Sequence, residues 1–199
     1  LQAKRGRVVM RRRLRNPVFW GLALWYTSYS LTGSSIIFQF VPLLRAEGIA
    51  DRVIFATFAL IGPVQLVARL LVITVGKRAS TARLGAFSSA MVPAALLILI
   101  CAPRTPLFLV LFATCFATGH GITTILRGTA PIEWLGREHF GRTMGAIALP
   151  MQLALALAPL LTAWVWSASG SSQIMLWQIF LGALTGVAGT FAVAAVAQV

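Results

Sequence analysis

Two arginines, a histidine and a few amides and hydroxyls are set in stretches otherwise built of Leu, Ala, Val, Ile and Phe, and these are the residues with chemistry to offer. Gln65 and Arg69 stand four apart in Phe58-Ala-Leu-Ile-Gly-Pro-Val-Gln-Leu-Val-Ala-Arg69, so on a helix they share a face. A guanidinium is permanently charged and its fork of donors matches a carboxylate, while a glutamine amide adds hydrogen bonds without titrating. His120, Thr124 and Arg127 fall at i, i+4 and i+7, one stripe of a helix with Thr123 beside it. An imidazole with its ordinary pKa of about 6.5 can carry a proton, which makes His120 a proton-coupling candidate. Arg127, farther along the stripe, reads as an anchor on the cytoplasmic side. Tyr26, Tyr29, Ser30, Gly33 and Ser34 form a face too polar for lipid, and Gln152 lies between Pro150 and Pro159 on a segment the prolines would bend. The expected substrate-binding set is therefore Arg69, Gln65, Tyr29 and Gln152.

The elements that hold these groups must cross a membrane. Of 199 residues, 58% are hydrophobic and 11% charged, with a mean hydropathy of +0.86, whereas soluble domains carry about 25% charged residues. Disorder has the opposite signature. The net charge of +13 raises nucleic acid or anionic lipid as partners, and the apolar content selects membrane lipid and excludes nucleic acid. Cys101 and Cys115 lie in apolar runs and form no disulfide ladder or metal spacing; neither a metal nor a cofactor is expected.

A spanning helix needs about 20 mainly apolar residues. Six such runs are predicted, over about 17–40, 53–75, 84–102, 106–126, 143–166 and 174–197, preceded by a basic linker over 1–16. The domain is thus 17–199. The first run is too long for a signal h-region of about 7 to 15 residues, so it is read as a retained span. Lys and Arg set the orientation. Lys4, Arg5, Arg7, Arg11, Arg12, Arg13 and Arg15 precede the first span; Lys77, Arg78 and Arg83 follow the second; Arg127, Arg137 and Arg142 flank the loop after the fourth. Arg45, Arg52 and Arg104 lie opposite, offset by Glu47 and Asp51. Both termini are therefore predicted cytoplasmic, and the compact loops suggest the inner (plasma) membrane of a bacterium.

The order of these marks resembles the carboxy-terminal half of a major facilitator superfamily transporter. The leader KRGRVVMRRRLRNP is similar to the end of the long basic loop joining the two six-helix halves, and the stretches Phe58 to Arg69 and Arg127 to Gly141 match as well. The resemblance implies an all-α polytopic membrane protein whose six transmembrane helices form one half of such a bundle. Where the family's loop typically reads Gly-x-x-x-Asp-Arg-x-Gly-Arg, this chain has Gly76-Lys77-Arg78-Ala79-Ser80-Thr81-Ala82-Arg83, without the acid. Gln65-Leu-Val-Ala-Arg69 is similar to the helix of monocarboxylate transporters in which an acid precedes an arginine by four positions. The resemblance assigns substrate-carboxylate binding to Arg69, with Gln65 standing where the proton-coupling acid would be. It also implies a partner, either an amino-terminal six-helix half or a second copy, because transporters of this kind bind substrate between halves near the bilayer midplane. The chain opens on Leu1 within linker-like sequence, so a fragment of a longer polypeptide is expected.

The expected function is secondary transport of a small organic solute, with a carboxylate as the leading class, by alternating access. The alternatives are a six-helix scaffold or channel subunit, or a transporter fragment without function. An enzyme is not expected: Ser34 or Ser35 with His120 would lack both a Gly-x-Ser-x-Gly setting and a buried carboxylate to orient the histidine.

Overall fold

The computed structural model describes residues 13–74 and 79–197. Within them run six helices: α1 Pro17–Ala46, α2 Asp51–Thr74, α3 Thr81–Cys101, α4 Pro106–Leu135, α5 Phe140–Ser169 and α6 Ser172–Ala197. Residues 1–12 of the expected linker, with Lys4 to Arg12, lie outside the described residues, as do Lys77 and Arg78.

Local chemistry sets the ends. Asn16 accepts from the Val18 amide at 2.9 Å and Pro17 occupies the first turn of α1, where its missing N–H is not needed. Ser80 caps α3 through the Arg83 amide. α5 stops at Gly170, whose φ of 65° lies in the left-handed region while its N–H bonds the Trp166 carbonyl, a common glycine termination.

The helices overrun the apolar runs. α4 was expected to stop before Arg127 but continues to Leu135, and α1 continues past Phe40, through Pro42, to Ala46. At about 1.5 Å per residue both are near 45 Å long, so their extra turns reach beyond a hydrocarbon core of about 30 Å. Charge collects on those extensions. At one end Arg45 pairs with Asp51 at 2.8 Å and Arg104 with Glu47 at 2.6 Å. At the other, Thr81 donates to Glu133, and Arg13 donates to the Leu135 and Glu138 carbonyls, a cation at a helix C-terminus where the dipole favours one. All four acids sit at these two ends.

α2 to α6 are each long and apolar enough to cross a membrane, and the protein is an all-α, multi-pass membrane protein. α1 is not among the five, although the sequence places it on the same footing, and its surroundings explain why. Eighteen of its 30 residues are buried, among them Ser28, Ser30, Thr32, Ser34 and Ser35, against three of 24 in α2. Two of its hydroxyls tie it to other helices: Ser28 donates to the Gly182 carbonyl of α6 at 2.7 Å and Ser34 to the Leu155 carbonyl of α5 at 2.7 Å. Packing contacts run in the order α2, α4, α3, α6, α1, α5. α1 and α4 also meet, leaving α2 and α5 at the two open edges.

Candidate functional site

Between these edges, α1, α2, α4 and α5 line a half-open cavity of about 380 Å³, within the usual range of small-molecule sites. Tyr29, Ser30, Gly33 and Ser34 come from α1, Phe58, Gly62 and Gln65 from α2, Phe116 and His120 from α4, and Leu155 from α5. Gly33 and His120 are each about 21 to 24 Å along their helices, which sets the cavity near mid-membrane.

Two glycines make this assembly possible. A Cβ at position 121 would lie 2.8 Å from the Gln65 carbonyl oxygen, so α2 packs against α4 only because Gly121 has none, and Gln65 is thereby brought to the cavity beside His120. A Cβ at position 33 would lie 2.7 Å from His120 Cε1. The imidazole fills the notch that Gly33 leaves in α1.

His120 is 4% exposed and sits between two rings, Tyr29 at 4.4 Å and Phe116 at 4.3 Å between centroids. The series continues through Phe112 to Phe40, at 5.6 and 5.4 Å, giving a column of five rings in which three consecutive members from α4 are flanked by Tyr29 and Phe40 of α1. Nε2 of His120 is buried without a hydrogen-bond partner. Such an atom costs free energy unless something bonds it.

Donors and acceptors around the cavity can be assigned from what each neighbour must do. Arg69 Nη2 donates to Gln65 Oε1 at 3.4 Å; arginine has no acceptor, so the glutamine oxygen faces Arg69 and its NH2 is left for the cavity. Thr124 gives its proton to the His120 carbonyl at 2.9 Å, so the Tyr29 hydroxyl, 3.1 Å from Thr124 Oγ1, is the donor there and keeps its lone pairs. Among the described residues no carboxylate lines the cavity.

The expected residues are brought together only in part. Gln65, Tyr29 and His120 share the cavity wall. Arg69 lies one turn from it, half-buried, with Nε buried and unpartnered, and reaches the cavity through Gln65. Gln152 is not among the residues that line it and is exposed on α5; polarity within a span signals a non-lipid environment without saying which face provides it. Tyr26 is also absent from the wall, being fully buried with its hydroxyl donating to the Leu126 carbonyl at 3.3 Å. Arg127 is followed by about two further turns of α4. It lies within α4, with Nη1 3.6 Å from Met151 Sδ of α5. Sequence reasoning missed Phe58, Phe116 and Leu155, which are apolar among apolar neighbours. Phe112, Phe116 and His120, at i, i+4 and i+8, carried the one signal that would have found the ring column. Among the described residues no three His, Cys, Asp or Glu come together as a metal site.

No family model and no curated protein matches this chain.

Proposed function

We propose that this protein is a secondary transporter, or the carboxy-terminal half of one, that moves a small organic anion by alternating access. The observation that carries this reading is the mid-membrane cavity whose α2 wall joins the Gln65 amide to the Arg69 guanidinium. Unpaired polar groups at that depth are expensive and mark solute pathways, and an arginine with an unpartnered Nε suits a carboxylate. A cation is disfavoured, since no acid among the described residues lines the cavity. His120 is the candidate for proton coupling.

The likeness to a major facilitator half supports the same reading and supplies the missing wall. The spanning windows of α2 and α5 are each only 11% buried, and both flank the open cavity, where a second six-helix half or a second copy would close it. On this reading the termini are cytoplasmic and the membrane is the inner membrane. The test is solute counterflow in proteoliposomes holding the complete polypeptide from the native locus, with a panel of labelled carboxylates. Saturable exchange of at least one is expected; exchange no greater than in empty vesicles rejects transport.

A further inference from the structure

The ring column determines which part of the cavity wall a solute's body would meet. Phe116 has Phe112 at 5.6 Å and His120 at 4.3 Å between centroids, and His120 has Phe116 at 4.3 Å and Tyr29 at 4.4 Å. Both residues line the cavity while being almost fully buried, Phe116 at 1% and His120 at 4% exposure. Rings of the column flank both side chains, which leaves ring edge as the part turned to the cavity. A ring edge carries the positive rim of the quadrupole and favours the negative face of another aromatic ring, in an edge-to-face pair. An aliphatic ring of equal size gains only dispersion there. Phe58, 6.1 Å from Phe40, adds an aromatic group on the α2 side.

The polar groups are distributed to suit the same solute. The Gln65 NH2 and Arg69 lie on α2, and the unpartnered Nε2 belongs to His120 on α4. The cavity of about 380 Å³ has room for a single ring with a carboxylate. Resting on the anion-transport reading above, we infer that the solute is an aromatic carboxylate, its acid group directed at Gln65 and Arg69 and its ring face set against the edges of Phe116 and His120.

The test is binding of tritiated benzoate to the complete, purified polypeptide, displaced by unlabelled benzoate, cyclohexanecarboxylate or L-lactate. Cyclohexanecarboxylate keeps the charge and the ring size but has no π face. Benzoate should displace about tenfold better than cyclohexanecarboxylate, as expected for two edge-to-face contacts, and Phe116→Leu should bring that ratio towards one. Equal displacement by the two acids, or lactate as the strongest competitor, overturns the aromatic assignment and leaves anion transport standing. A tenfold ratio that survives Phe116→Leu overturns the ring-edge wall as its source. Absence of any carboxylate binding or counterflow overturns the transport reading, and the assignment with it.

Discussion

Gly33 and His120 fit together as notch and plug: a methyl group at position 33 would come within 2.7 Å of the imidazole Cε1. The contact joins α1 to α4 at the back of the cavity and holds the ring between Tyr29 and Phe116. Gly33→Ala should therefore displace His120, destabilising the protein by about 1 to 3 kcal/mol and reducing saturable uptake. In a His120→Ala background the same change should cost at least about 1 kcal/mol less. Thermal melts of the four variants in detergent give the coupling, and additive effects would show that the two positions are independent.

Gly121 performs the corresponding role between α4 and α2. Gly121→Val would press against the Gln65 carbonyl, 2.8 Å from the new Cβ, and should destabilise by about 1 to 3 kcal/mol. Gly128, on the same helix, has open space around it, so Gly128→Val should be neutral or slightly stabilising. Comparing their melting temperatures separates helix contact from a general effect of valine in a helix.

The Arg45–Asp51 pair contributes a defined component to the pH response of the chain. The hydrogen bond from Arg45 holds the Asp51 carboxyl below its ordinary value of 3.8. A carboxyl depressed in the folded state adds stability that is fully present above its unfolded pKa and is lost as pH falls through the folded value. Asp51→Asn should therefore lower the melting temperature slightly near pH 7 and leave it unchanged well below pH 3.8. The effect is small because both side chains are more than half exposed. A difference that grows on acidification would contradict this pairing.

How much of this was legible in the sequence depends on the kind of residue. The six helices followed from apolar run length, but not their ends: α4 passes through Arg127 and Pro131 to Leu135, since polar turns outside the bilayer remain helical and hydropathy does not register them. Gln65, Tyr29 and His120 were found because a polar group at membrane depth must face something other than lipid. Gln152 is exposed on α5 and lies outside this cavity's lining, and its helix face needs further contacts to assign. The same reasoning passed over Phe116 and Leu155, because an apolar cavity wall and a lipid-facing surface have the same composition. The low apolarity of α1 became intelligible only once its serines were seen bonding to the carbonyls of α5 and α6.

His120 carries a prediction of its own. If it moves protons during transport, the pH dependence of uptake should flatten in His120→Gln while the protein remains folded and in the membrane. Uptake that keeps its full pH dependence in this variant would remove the proton-carrier role and leave His120 as a group of the cavity wall.

On the proposed transport reading, Arg69, acting through Gln65, holds the carboxylate of the transported anion. The most direct test is saturable carboxylate uptake by the complete polypeptide carrying Arg69→Ala, with the amount of protein in the membrane measured in parallel. Loss of the saturable component is expected, by roughly ten- to a hundredfold for removing a charge-assisted pair, at unchanged membrane content. Normal saturable uptake by that variant would contradict this role.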